Sequence, residues 1–220
     1  MYPYFWIHLD TLGVFGVLTG QGVRDLSKFF IIDIREVYMI DGSKLSFAEN
    51  IALTKRVVDA CHPCSIPVEG ELGKVGGKED DLVNGDDNPY TDPEEAREFV
   101  MRTAVDSLAV GIGTSHGVYK GVPKVNVERL SEIRSAVDVP LVLHGTSGVP
   151  DDQVRECVRR GICKVNYATD LRIAFTNGIK DYLQQYPDAF DPKKYAACGM
   201  EEVMQYVMQK MDVIGSTGKA

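Results

Sequence analysis

Two imidazoles dominate the chemistry this sequence could perform. His116 closes the apolar run Ser107-Leu-Ala-Val-Gly-Ile-Gly-Thr-Ser-His116, His144 closes Val139-Pro-Leu-Val-Leu-His144, and glycine follows each. They lie 28 residues apart, about one strand-plus-helix unit, so both should emerge at the carboxyl ends of neighbouring parallel strands. Neutral imidazole is a ready ligand for divalent metals, and a pair on one edge looks like a metal site. A carboxylate, Asp10, ends His8-Leu9-Asp10; alternation along a strand puts it on the same face as His8 and makes it a further candidate for chemistry. Cys61-His62-Pro63-Cys64 shares only its spacing with redox CxxC pairs, and His62 reads as a surface or packing residue at a helix-to-strand turn.

The elements needed to position the histidines surround them. Val127, Leu130, Ile133 and Val137 recur at helical spacing, and a second helix opens with Pro150, Asp151 and Asp152 and stops at Gly161. The run Ile162-Cys-Lys-Val-Asn166 follows, so the stretch Ser107 to Thr169 reads strand, helix, strand, helix, strand. Upstream, Val37 to Ile40 predicts a strand ending in Asp41-Gly-Ser43, and Ser46 with Glu49 forms a capping box ahead of Ile51, Leu53, Val57 and Val58. Ser65 to Val68 predicts the next strand, running out into Glu69-Gly-Glu71-Leu-Gly73. The polar segment Lys74 to Tyr90 is long enough to be a lid or binding loop. Asp92-Pro-Glu-Glu95 caps a helix, with acids near the positive end of its dipole. Two more helices are expected, from about Asp170 to Gln184 and from about Pro192 to Met211.

The amino end is less regular. Tyr4 to Leu9 has the aromatic and β-branched character of a strand. Thr11 to Tyr38 shows no clean period: Gly13, Gly16, Gly20 and Gly22 punctuate it, and Phe29 to Ile34 reads as buried. The whole is an α/β chain of right-handed units, a barrel or an open sheet, expected to form one domain over residues 1–220. With 44% hydrophobic and 25% charged residues it suits a single sizeable core. A net charge of −8 argues against nucleic acid or an anionic membrane as partner, and no apolar run approaches the roughly 20 residues of a membrane span. Met1 to Ile7 lacks the basic start and cleavage site of a signal peptide. Five cysteines without framework spacing fit a reducing compartment, so a cytoplasmic setting is expected.

A set of motifs now carries a resemblance. Met39-Ile-Asp-Gly-Ser43, Glu71-Leu-Gly-Lys-Val-Gly-Gly-Lys-Glu79-Asp, Gly113-Thr-Ser-His-Gly-Val-Tyr119, Leu143-His-Gly-Thr-Ser-Gly148, Lys164-Val-Asn-Tyr-Ala-Thr169 and Gly215-Ser-Thr-Gly-Lys-Ala220 together resemble the class II, zinc-dependent ketose-bisphosphate aldolases. The resemblance runs almost continuously from Val37 to the end, nearest to the tagatose-bisphosphate and short fructose-bisphosphate branch. It implies a TIM (β/α)8 barrel and reversible cleavage of a ketose 1,6-bisphosphate, fructose or tagatose, to dihydroxyacetone phosphate and an aldehyde, glyceraldehyde 3-phosphate. Such cleavage passes through an enediolate, which a divalent metal acting as Lewis acid stabilises. It also implies His116 and His144 as zinc ligands, Glu79 as the loop base that removes a proton from dihydroxyacetone phosphate, and Asp10 as the proton exchanger on the aldehyde side. Asp41 and Glu71 match carboxylates that offer the metal a secondary position.

Phosphate needs local donors more than a positive protein. Gly117, the turn Gly145-Thr146-Ser147 and the stretch Asn166, Tyr167, Ala168 and Thr169 supply amides and hydroxyls at strand ends, beside helix starts. In some family members a monovalent cation assists there. Expected partners are a small phosphorylated sugar and further copies of the chain.

Two departures matter. The family's first motif is His-Leu-Asp-His, whereas this chain has His8-Leu-Asp-Thr11, which removes one of three zinc ligands. Residues 1–36 do not follow the family, so about six strands are recognisable, near Ile7, Ile40, Val68, Val110, Leu143 and Val165. A truncated gene product or a new role for residues 1–36 is expected, with a sheet exposing two edges. The competing expectation is therefore a noncatalytic aldolase remnant that keeps a sugar-phosphate pocket or an oligomer interface.

Overall fold

In the computed structural model, which describes residues 7–9, 15–18, 37–73, 76–77 and 90–219, strands and helices alternate from Tyr38 onward. The elements are β1 (Ile7–Leu9), β2 (Phe15–Leu18), β3 (Tyr38–Ile40), α1 (Phe47–Cys61), β4 (Val68–Leu72), β5 (Gly76–Gly77), α2 (Pro93–Thr103), β6 (Ser107–Val110), β7 (Ser115–His116), α3 (Val127–Ala136), β8 (Leu141–Leu143), α4 (Asp151–Arg159), β9 (Ile162–Tyr167), α5 (Thr169–Gln185) and α6 (Pro192–Val213). Local chemistry sets several starts. Ser46 accepts from the Glu49 amide while the Glu49 carboxylate accepts from the Ser46 amide, closing the capping box of α1. Asp92 accepts from the amides of Glu94 and Glu95 at the head of α2, and Pro93 occupies the first turn, where its missing N–H is not needed.

The main sheet has the order β1-β2-β9-β8-β6-β4-β3. From β9 to β3 all neighbours are parallel, as the alternation with helices requires. The expectation of parallel strands throughout is corrected at the amino end, where β1 pairs antiparallel with β2 and β2 antiparallel with β9. β1 and β2 are separated by five residues in sequence, fewer than the dozen or more that a parallel crossover needs. The strand expected over Ser65 to Val68 also shifts. Ser65 has a left-handed φ of 58° and Pro67 follows it, so pairing begins at Val68 and extends to Leu72. Glu69 and Glu71 therefore stand inside a strand rather than after one.

Period-two alternation divides the central strands into two faces. Val68, Leu72, Leu108, Val110, Leu141, Leu143 and Val165 join the core with Ile51, Phe99, Leu130, Ile133, Val154 and Val158 of the helices. Burying such side chains stabilises by about 1.5–3 kcal/mol each before conformational entropy is subtracted. Gly70 belongs to this face: an added Cβ would lie 2.9 Å from the Phe99 ring. The opposite face carries Glu69, Glu71, Ser107, Ala109, Val142, Lys164 and Asn166 at alternate positions, and only residues of the first set belong to the apolar core. Helices packed on one side of a parallel sheet and polar groups gathered on the other make an α/β fold of the TIM-barrel type. Among the described residues the sheet is open, with β1 and β3 at its edges.

Candidate active site

The polar face of the sheet converges on His144, which follows β8 directly and is buried. Its Nε2 donates to Glu69 Oε1 at 2.9 Å and its Nδ1 to Glu71 Oε2 at 3.0 Å. The other oxygen of Glu69 accepts from Lys164 Nζ of β9 at 2.8 Å and lies 3.5 Å from Ser107 Oγ. Glu69 and Ser107 are register partners, as are Glu71 and Ala109, and Ala109 pairs on to Val142. Small residues at both β6 positions leave room for the carboxylates to cross toward β8.

Charge explains why so polar a cluster tolerates burial. Burial works against a charged Glu69, but the Lys164 ammonium and the His144 imidazole hold its carboxyl down to about 2. Burial likewise works against a charged His144, yet hydrogen bonds and charge from Glu69 and Glu71 push it up to about 9. Each charge is thus held by its neighbours, and removing one partner of such a buried set costs about 3–5 kcal/mol.

His116 lies beyond the end of β6 rather than on it. It occupies β7, which pairs in parallel with β5 through Gly76↔Ser115 and Gly77↔His116. The histidine is exposed, and its ring centroid is 6.1 Å from that of His144. Tyr119 fixes this approach: the Ser115 amide donates to Tyr119 Oη at 2.7 Å, and that hydroxyl donates to the Gly145 carbonyl at 2.7 Å. Gly145 is left-handed (φ 65°), and a Cβ there would lie 2.8 Å from the Ser115 carbonyl. Only glycine lets the two segments pass so closely.

The remaining candidates divide. Gly117 has a φ of 94° with open space around it, directly after His116. Thr146 is buried and its hydroxyl donates to the Leu143 carbonyl; Ser147 Oγ accepts from the amides of Ala168 and Asp170, so it serves the start of α5. Thr169 is the first residue of α5. Asn166 shares the face of Lys164, and its Oδ1 is buried with no protein partner among the described residues. Tyr167 lies on the other face, its ring 5.9 Å from that of Tyr206 on α6. Asp41 is exposed at the end of β3 and accepts from the Ser43 amide. Asp10, Thr11 and Glu79 lie outside the described residues. Sequence reading missed Glu69, Lys164 and Tyr119. The signal for the first two was the pairing at i and i+2, Glu69 with Glu71 and Lys164 with Asn166, each inside an apolar run.

Comparison with known proteins decides the family. The model of the class II fructose-bisphosphate aldolase family matches residues 32–219. The chain belongs to that family. Among solved structures it is similar to the YdjI aldolase from Escherichia coli K12, with 41% identity and a TM-score of 0.71 over 83% of this chain and 62% of that one. A protein assigned as a fructose-1,6-bisphosphate aldolase from Coccidioides immitis gives 32% identity and 0.70 over 82% and 63%. The fructose-bisphosphate aldolase from Campylobacter jejuni shares the fold, at 22% identity and 0.71 over 91% and 66%. The chain spans less than two thirds of the length of these class II aldolase structures.

Class II aldolases are generally metal-dependent, and imidazole is a ligand type that suits a zinc ion. Two imidazoles bound to one zinc through nitrogens about 2.0–2.1 Å away have ring centroids roughly 5–6 Å apart. The rings of His116 and His144 are 6.1 Å apart, just beyond that range, and the His144 nitrogens lie 2.9 and 3.0 Å from carboxylate oxygens of Glu69 and Glu71. Among the described residues no three His, Cys, Asp or Glu side chains converge on one metal position. Thr11, expected from the resemblance at the position of the family's remaining histidine, lies outside the described residues and before the family match, which begins at residue 32.

Proposed function

We propose that this chain acts as a zinc-dependent aldolase that reversibly cleaves a ketose 1,6-bisphosphate, fructose or tagatose, to dihydroxyacetone phosphate and glyceraldehyde 3-phosphate. The observation that carries the reading is the approach of His116 to His144 over a buried acidic pair, Glu69 and Glu71. His116 and His144 would hold the zinc, which supplies Lewis acidity toward the ketone and hydroxyl oxygens. Glu79 removes the proton from the dihydroxyacetone phosphate carbon, and Asp10 exchanges a proton with the aldehyde-side oxygen. The strand-end groups at Gly117, Gly145, Thr146, Ser147 and Asn166 to Thr169 bind phosphate and sugar oxygens, with a monovalent cation assisting. The unpartnered Oδ1 of Asn166 supports this reading, because a buried acceptor left alone is costly until a ligand hydroxyl donates to it. Asp41 and Glu71 offer the metal a secondary position. The same reading carries further copies of the chain as partner and the cytoplasm as setting.

The test is zinc content after purification, measured together with cleavage of fructose and tagatose bisphosphates. Stoichiometric zinc and cleavage that is lost on chelation and regained with zinc support the proposal; a zinc-loaded chain that cleaves neither sugar contradicts it.

A second reading, a noncatalytic remnant that retains the pocket, is favoured by Thr11 where the family has histidine. Two imidazoles leave zinc short of its usual three protein ligands, so retention weakens. Thr11→His separates the two: it raises zinc retention and cleavage together in a weakened enzyme, and leaves cleavage absent in a remnant.

A further inference from the structure

Cys61-His62-Pro63-Cys64, which the aldolase reading does not use, acquires a defined geometry in the fold. α1 ends at Cys61, and His62–Cys64 form a 3₁₀ turn that stops where Ser65 turns left-handed, at φ 58°. In such a turn residues i and i+3 eclipse after three rises of about 2.0 Å, which stacks Cys64 over Cys61 with their Cα atoms about 6 Å apart. Disulfides span Cα separations of about 4.4–6.8 Å. The turn is well held: the Ser65 amide donates to the His62 carbonyl at 2.9 Å and the Ile66 amide to the Cys61 carbonyl at 3.2 Å. His62 Nε2 lies 2.9 Å from Asp106 Oδ2, the oxygen that accepts from the Val68 amide at the start of β4. Pro63 fixes a backbone angle between the two cysteines.

The two thiols differ in access. Cys64 is exposed and Cys61 partly buried, whereas Cys157 and Cys163 are buried. Among the described residues these side chains, with His62 and Asp106, do not converge on a metal position, which leaves thiol chemistry as the use of the pair. The carbonyl end of α1 faces them with no basic residue in its last turn, an arrangement that disfavours a thiolate. Burial, and then the neighbouring Cys64, push the Cys61 thiol up from its ordinary value. An uncharged disulfide escapes both penalties.

We propose that Cys61 and Cys64 form a thiol–disulfide exchange site for small disulfides, with Cys64 the attacking and Cys61 the resolving thiol. It lies before the amino end of β4, while His144 follows the carboxyl end of β8, and β4, β6 and β8 run parallel. The site is therefore at the opposite rim of the sheet from the candidate active site. The Cys64 thiolate bonds to one sulfur of the small disulfide, whose S–S bond breaks, and the other half leaves as thiolate. Cys61 gives its proton to solvent and attacks the Cys64 sulfur, expelling the second half as thiolate. One disulfide is consumed and one is formed, and two electrons pass from the cysteines to the small molecule. A small thiol in excess reverses the exchange, so the bridge is a reversible mark and not a structural staple.

The test equilibrates the full reduced chain with oxidised and reduced glutathione at a series of ratios, quenches in acid and maps the peptides by mass spectrometry. The expected product is a peptide lighter by two hydrogens, closed between Cys61 and Cys64, with no lasting glutathione adduct. A stable adduct on Cys64 beside a free Cys61 thiol overturns the proposal, as do two free thiols at the most oxidising ratio. Cys61→Ser should trap the adduct on Cys64, and that adduct should form about tenfold faster than the one on Cys61 in Cys64→Ser, because the attacking thiol must be accessible. Equal rates, or the reverse order, overturn the assigned roles. The folded chain should close the bridge at a glutathione ratio roughly tenfold more reducing than the chain unfolded in urea, the equivalent of ordering one residue's backbone. Equal midpoints would show that the 3₁₀ turn contributes nothing, and would overturn the site.

Discussion

At Gly145 the backbone is left-handed, with φ 65°, and passes so near Ser115 that an added Cβ would sit 2.8 Å from backbone atoms. Gly117 is also left-handed, at 94°, but open. Gly145→Ala should therefore cost more than the roughly 1–3 kcal/mol of a strained φ alone, while Gly117→Ala should stay within that range. Urea midpoints of the two variants check this, and equal losses would show that the approach to Ser115 is not tight. Thiol reactivity gives a second residue-scale outcome. Burial pushes the Cys157 thiol up to about 12, so at pH 8 it holds almost no thiolate, whereas Cys64 is exposed. Thiolate is the nucleophile, so a maleimide should label Cys64 and spare Cys157 in the folded chain. Peptide mass spectrometry reads the sites, and labelling of Cys157 at the rate of Cys64 would contradict its burial. His144 was legible because it ends an apolar run before glycine. Glu69 was not, because its burial depends on Lys164, 95 residues away along the chain.

Elements whose cause is local were legible to within a residue or two. The capping box of α1 and the Asp92-Pro93 start of α2 are written in neighbouring residues, and α3 opens on Asn126, which accepts from the Arg129 amide. Asp92→Ala should lower stability by about 1 kcal/mol, within the usual range for a lost cap. For a chain of this length that is a fall of about 2–4 °C in Tm, read by circular dichroism. A Tm within experimental scatter of the parent would mean that the proline and the acids of the first turn suffice. Phe99→Ala is the contrasting case. Phe99 is wholly buried between α2 and β4, so its loss should cost about 3–5 kcal/mol. The elements missed were those with non-local causes. β5 and β7 have two residues each, too short to show a period, and exist only as each other's partners. The hairpin of β1 and β2 was hidden because Thr11 to Tyr38 offers no alternation, and the antiparallel pairing of β2 with β9 joins segments far apart in sequence.

On the scale of the whole molecule, regular alternation of strand and helix from Val37 onward made the TIM-barrel type legible, because right-handed crossovers leave few other arrangements. Closure was not legible, since it depends on strands joining the two edges of the sheet rather than on any pattern within one unit. The fold gathers Glu69, Glu71, His144 and Lys164 on one face and brings His116 to its rim, while the helices cover the other. The central claim is that His116 and His144 share one metal ion. Anomalous scattering at the zinc edge, from crystals grown with stoichiometric zinc, tests it most directly. The account predicts one peak about 2.0–2.1 Å from a nitrogen of each ring. A peak on one histidine alone, a peak elsewhere on the sheet, or none at saturating zinc would contradict it.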